Sequence, residues 1–224
     1  MKGGRIFSDR EEAGRVLGKR LTPAYCGKGA LVFGIPRGGV PVAAAVAKAI
    51  RGELGVLITK KLPHPLQEEL AIGACAEDGS VFLTSYSNDI DRDALKRIVQ
   101  EQLNEIRSRV SRFRQGKRLP EIKGRTVIIV DDGIATGSTL VPAIKLCQSQ
   151  KAARIVVASP VSGKRYVSEI DALADEVVIA VQPSDFHSVG QVFEDFHPLC
   201  DEEVVAILRQ HERGYHHTMA RKFI

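Results

Sequence analysis

Tryptophan is absent and aromatic residues make up only 5% of the chain. An interleaved aromatic platform, on which single-stranded nucleic acid stacks, is therefore missing. Cysteine is scarce as well: Cys26, Cys75, Cys147 and Cys200 stand far apart, with no CxxC pair and no tight Cys/His cluster. That spacing argues against a zinc site or a disulfide framework and fits a reducing cytoplasm. No apolar run reaches the length of a membrane span, and the first residues lead into a charged segment rather than an apolar one. The expectation is a soluble, cytoplasmic protein without a membrane partner. Neither a Walker P-loop nor a GxGxxG unit occurs, and there is no internal repeat or low-complexity tract. Nor does one sign of charge dominate. Lysine and arginine number 32 against 27 acidic residues, a net charge of +5, which phosphorylated small molecules explain as easily as nucleic acid.

What is present is ample apolar material: 44% of 224 residues, enough for a buried core in one domain spanning 1–224. The most informative stretch is 127–139. Four β-branched residues, Val127 to Val130, read as a strand buried on both faces, and the run stops at the adjacent carboxylates Asp131 and Asp132. A charge pair is costly to bury, so it belongs at the carboxyl end of a central parallel strand, where open α/β sheets bind ligands. Ala135, Thr136, Gly137, Ser138 and Thr139 then open a helix, offering hydroxyls and free N–H groups that suit a phosphate.

Other segments repeat this pattern of strand, loop and helix. Residues 30–33 form a short apolar strand, and 34–39, containing Arg37, Gly38 and Gly39, break it before a small-residue helix over 40–50. A further strand, 54–59, carries Lys60 and Lys61 at its carboxyl end. Continuing alternation to residue 180 argues for a central parallel sheet flanked by helices on both faces. Between these lie two departures. Residues 62–88, rich in proline and glycine, read as a mobile loop with an antiparallel ribbon. Over 90–115, Leu95, Val99, Leu103, Ile106, Val110 and Phe113 form one stripe of a long amphipathic helix, which offers a face for subunit pairing in a homodimer. Its later half is basic, either as a nucleic-acid face or as cations placed at the negative end of the helix dipole. An amino-terminal helix from Ser8 or Asp9 to about Leu21 serves packing. A tail over 182–200 carries Phe186, Phe193 and Phe196, a helix covers 201–210, and His216 and His217 close the chain without an expected metal role.

Taken together, residues 127–139 resemble the ribose-phosphate motif of type I phosphoribosyltransferases, and 34–39 resemble that family's pyrophosphate loop. Lys60, Lys61, Leu62 and Pro63 are similar to the start of its flexible loop, and the tail is similar to the small hood over the base. The segments PRGGVPVA and DDGIATG resemble a bacterial and archaeal group within the family. The resemblance implies 5-phosphoribosyl 1-diphosphate with Mg2+ as ligand. Asp131 and Asp132 would accept the ribose hydroxyls and orient the metal through water, and Ala135 to Thr139 would bind the 5-phosphate. Arg37, Gly38, Gly39, Lys60 and Lys61 would take the pyrophosphate, and Phe186 would cover the base. A nitrogenous base would then attack C1 and release pyrophosphate, with Glu68 or Glu69 as general base. In the 6-oxopurine branch an aspartate stands in place of Ala135, so a 6-oxopurine acceptor is disfavoured. Two alternatives share the ligand: a regulatory nucleotide sensor that presents the basic helix to RNA, and a hydrolytic or phosphorolytic relative.

Overall fold

The structure, a computed structural model, describes residues 6–164 and 166–220, without the side chains of Glu68, Glu69 and residues 216–220. In chain order the elements begin with α1 (Arg10–Tyr25), β1 (Leu31–Gly34), α2 (Gly39–Ile50) and β2 (Glu53–Val56). There follow β3 (Thr59–His64), β4 (Gln67–Ala76), β5 (Val81–Leu83) and α3 (Arg92–Arg114). The second half holds β6 (Thr126–Val130), α4 (Leu140–Ser149), β7 (Arg154–Val161), α5 (Glu169–Leu173), β8 (Glu176–Val181) and α6 (Asp201–Ala220).

Five strands form the expected parallel sheet in the order β2-β1-β6-β7-β8. The central strands are apolar throughout because both faces are covered. Val32, Ile128 and Val130 pack with α1 and α2 on one face, while Leu31, Phe33, Val127 and Ile129 pack with α4 and α5 on the other. Asp9 caps α1, its Oδ1 accepting the Glu12 N–H at 2.7 Å, and Asp91 caps α3 in the same way. No helix among the described residues is long and apolar enough to cross a membrane.

Three boundaries differ from expectation. The strand expected over 54–59 is two strands: β2 stays in the parallel sheet, and past the buried corner at Leu57 and Ile58 the chain turns out as β3. Hydrophobic patterning records burial but not a change of partner strand. Lys60 and Lys61 accordingly lie inside β3, not at the end of a sheet strand. The excursion expected over 62–88 begins earlier, at Thr59, and its ribbon is a three-stranded antiparallel sheet, β3-β4-β5, with Pro63 tolerated because β3 is its edge. Finally, α6 runs well beyond residue 210, and the side chains of His216 and His217 fall outside the described residues.

The stripe on α3 is covered within the chain. Ile106 and Phe113 are buried, and the stripe packs on Leu62, Ile72 and Cys75 of the second sheet and on Val204, Ile207 and Leu208 of α6. Some of the basic residues at the end of α3 and just after it are ion-paired too: Arg112 pairs with Asp201, Arg114 with Glu77, and Lys117 with Glu212.

Candidate active site

In the parallel sheet, β1 leads through α2 to β2 on one side, whereas β6 leads through α4 to β7 on the other. The loops leaving β1 and β6 therefore diverge at the carboxyl ends of neighbouring strands, and this topology opens a crevice there. A cleft of about 620 Å³ occupies it, with Arg37 and Gly38 from the first loop and Asp131, Asp132 and Thr139 from the second. The small antiparallel sheet contributes Thr59, Lys60 and Lys61, and α3 contributes Gln102, Glu105 and Arg109.

The two carboxylates form the floor. Burial holds the Asp131 carboxyl well above the usual carboxylate range; the charge of Asp132 adds to this, and the Asp132 N–H, donated to Asp131 Oδ1 at 2.9 Å, and the charge of Lys61 oppose it. Burial also raises Asp132, but here the hydrogen bond and charge of Arg10 oppose it. Arg10 Nε donates to Asp132 Oδ2 at 2.9 Å from the first turn of α1.

Both helices that start at the cleft lack a side-chain cap. At α2 the cap position is Gly38 and at α4 it is Thr139, and neither makes a capping hydrogen bond. The positive dipole ends of both helices are thereby left without a side-chain cap, although the N–H groups of Gly39, Val40 and Leu140 are donated to the carbonyls of Ile35, Arg37 and Gly137, and Pro41 and Pro142 carry none. Gly137 adopts φ +77° within the second loop, a left-handed conformation that glycine adopts without strain. Thr136 and Ser138 hydroxyls lie 3.2 Å apart on the same turn.

Opposite the floor stand the cations, and two of them are matched by carboxylates of the same chain. Lys60 pairs with Glu105 of α3, and Arg37 lies 3.8 Å from Asp201 at the start of α6. Thr59 Oγ1 is buried against this wall without a hydrogen-bond partner, an orphaned donor that a polar ligand would satisfy.

Arg37, Gly38, Lys60, Lys61, Asp131, Asp132 and Thr139 thus come together around one cleft. Gly39 lies just behind it, packed on the Asp131 backbone. Ala135 and Thr136 are exposed beyond Thr139, on the loop that carries buried Gly137 and Ser138. Phe186 does not line the cleft; it is half-buried beside Gly163 and packs on the core. The side chains of Glu68 and Glu69 lie outside the described residues, though their backbone belongs to the outer half of β4. Thr59, Gln102 and Glu105 line the cleft and were missed by sequence reasoning, as was Arg10, which touches it only through Asp132, and Arg109 was seen only as part of a basic helix. For Arg10 the available signal was a cation directly after a helix cap, which local patterning reads as surface.

The donors present fit a magnesium ion bound mostly through its ligand. Asp131 and Asp132 are two oxygen donors whose combined charge is disfavoured by burial, so a divalent cation would relieve it. Among the described residues there is no cluster of three or more metal-ligating side chains.

A family model described as a phosphoribosyl transferase domain matches residues 12–195. The Mycobacterium tuberculosis (strain ATCC 25618 / H37Rv) protein named "Putative phosphoribosyl transferase Rv0571c" is 40% identical over 214 residues, covering 94% of this chain and 48% of that protein. The chain therefore spans about half the length of the curated relatives it matches. The crystal structure of TT1426 from Thermus thermophilus is 38% identical, covers 92% of this chain and 98% of its own, and superposes with a TM-score of 0.78. A hypothetical protein from Neisseria gonorrhoeae, with bound ppGpp, shares the fold alone, at 11% identity and a TM-score of 0.52 over 94% of this chain and 98% of its own. With the family match running through both loops of the cleft and the Thermus chain superposing along almost its whole length, the chain belongs to the type I phosphoribosyltransferase family.

Proposed function

We propose that the protein transfers the phosphoribosyl group of 5-phosphoribosyl 1-diphosphate to a nitrogenous base and releases pyrophosphate. The observation that carries this is a carboxylate pair lying between two uncapped helix starts and facing Lys61, Arg37 and Arg109 across one cleft. Asp131 and Asp132 accept from the ribose hydroxyls. The turn of Ala135, Thr136, Gly137, Ser138 and Thr139 at the start of α4 cradles the 5-phosphate. Arg37, the Gly38 and Gly39 backbone, Lys60, Lys61 and Arg109 take the diphosphate. Asp131 and Asp132 would hold a magnesium ion, which would supply neutralisation of the diphosphate charge.

In the reaction the bond from C1 to the diphosphate oxygen breaks with its electron pair leaving on pyrophosphate, and a nitrogen lone pair of the base forms the new bond to C1. Negative charge grows on the leaving group, where the cationic wall and the dipole of α2 stabilise it, and positive charge grows on the ribose above Asp131 and Asp132. The proton released from the base passes to a carboxylate of the ribbon, Glu68 or Glu69. Phe186 belongs to the tail segment proposed to cover the base. Because Ala135 brings no carboxylate to the base end, a 6-oxopurine is the less suited acceptor.

A panel of bases offered with 5-phosphoribosyl 1-diphosphate and magnesium, with pyrophosphate release as readout, tests this. Release that depends on one base is the expected result. Release without any base would point to the hydrolytic alternative, and tight binding with no release from any base would sink transfer in favour of sensing. The RNA-presenting version of sensing has little support, since Arg112, Arg114 and Lys117 are paired with carboxylates of the same chain.

A further inference from the structure

Arg10 is the first residue of α1, and its side chain is 9% exposed, a buried cation far in sequence from the loops that carry the family motifs. It makes three contacts with two different parts of the chain. Its Nε donates to Asp132 Oδ2 at 2.9 Å, its Nη1 donates to the His197 carbonyl at 3.0 Å, and its guanidinium lies 3.8 Å from the centre of the Phe196 ring. Phe196 stacks on Phe193 at 4.9 Å, and Phe193 packs on Phe7 at 5.7 Å. The backbone joins the same parts: the Glu194 and Asp195 N–H groups donate to the carbonyls of Phe7 and Ser8, each at 2.8 Å. The tail segment is thus hung on the residues just before α1, and Arg10 connects it to the acid on the cleft floor.

We propose that Arg10 is a positioning residue that fixes the Asp132 carboxylate for the ribose and couples that carboxylate to the tail segment carrying Phe193, Phe196 and His197. The proposal rests on the phosphoribosyl reading of the cleft. A guanidinium is suited to the task because its planar fork donates in two directions while its face stacks on a ring. Engaging Oδ2 leaves Oδ1 of Asp132 to accept from a ribose hydroxyl, and it sets the rotamer in which that happens. Arg10 does not itself line the cleft and reaches it only through Asp132, whereas Arg37, Lys60, Lys61 and Arg109 line it directly.

The coupling predicts a split between two ligands. In calorimetric titrations with magnesium, Arg10→Gln should bind 5-phosphoribosyl 1-diphosphate at least about tenfold more weakly than wild type, a loss of roughly 1.4 kcal/mol. Inorganic pyrophosphate should bind both within about a factor of two, well inside the roughly 1.4 kcal/mol of a tenfold change. Arg10→Lys, which restores the charge without the fork, should recover part of the loss. Amide hydrogen exchange over 193–197 should quicken in Arg10→Gln. Unchanged affinity for 5-phosphoribosyl 1-diphosphate, or an equal loss for both ligands, overturns the proposal. If Arg10→Gln does not fold, the same comparison made on Arg10→Lys decides it: a selective loss supports positioning, and wild-type affinity for both ligands overturns it. Wild-type protein that binds pyrophosphate but not 5-phosphoribosyl 1-diphosphate would remove the phosphoribosyl reading, and the role of Arg10 with it.

Discussion

Gly38 lies directly against Asp132: a Cβ built at Gly38 would overlap the carboxylate and sit 2.5 Å from its Cγ. The loop after β1 and the acid after β6 are therefore one surface, and glycine is the residue that lets them meet. Gly38→Ala must push the carboxylate or the loop aside. Displacements on the order of 1 Å in catalytic sites cost about a hundredfold in rate, so we expect a loss of that size in the rate of pyrophosphate release from 5-phosphoribosyl 1-diphosphate. An alanine variant that turns over as fast as wild type would show that the contact is slack.

Arg114 anchors the end of α3 to both sheets. It pairs with Glu77 and donates from Nη2 to the Val56 carbonyl at 3.0 Å, and the two charged side chains are 10% and 8% exposed. Burial raises the Glu77 carboxyl, and the charge of Arg114 opposes this. Arg114→Met leaves the carboxylate buried and unpaired, which should cost about 3–5 kcal/mol of stability. Urea denaturation checks the value, and adding Glu77→Gln to the methionine variant should recover part of it. A midpoint unmoved by Arg114→Met would mean that the pair contributes nothing.

His211 gives the protein a stability that depends on pH. The ring, half-buried, lies 3.2 Å through Nε2 from the Gly52 carbonyl, and burial lowers its pKa below the ordinary 6.5. The unfolded chain then takes up a proton before the folded one does. The contribution is complete above pH 6.5 and is lost as pH falls from there through the folded pKa. Exposed His197, raised by Asp195 and Glu203, has the opposite sign, so the test is a difference. Thermal melts of wild type minus His211→Gln should show stability falling below pH 6.5; parallel curves would refute the assignment.

The cysteines should divide into two classes. Cys26 and Cys200 are exposed, whereas burial pushes the thiols of Cys75 and Cys147 up to about 11 and about 12. A chromogenic disulfide reagent at neutral pH should titrate the two exposed thiols in the folded protein and the other two only in denaturant. Rapid reaction at Cys75 or Cys147 in native buffer would contradict the packing around them.

Short-range pattern carried much of the fold. The β-branched run ending at Asp131, the glycine loop after Phe33, and the alternation between them predict a parallel sheet with ligand loops at its carboxyl edge, which is the sheet observed. The stripe on α3 was equally legible, since its 3.6-residue period is a property of the helix alone. What covers that stripe was not, because periodicity shows that a face is buried without showing against what. Lys60 and Lys61 illustrate the same limit: their neighbours in sequence look like one strand, but the chain changes sheets just before them.

By itself, then, the sequence determined the alternation of strands and helices in the parallel sheet and the two loops and acid pair at its carboxyl edge, each encoded within about a dozen adjacent residues. Tertiary structure alone decided that Arg10, 122 positions away, neutralises Asp132. It also decided that Glu105 and Asp201 answer the cations of the cleft, and that Phe186 packs on the core beside Gly163. Such pairings depend on how helices dock onto the sheet. Burial makes the choice of partner energetically decisive, and local propensity carries no record of it.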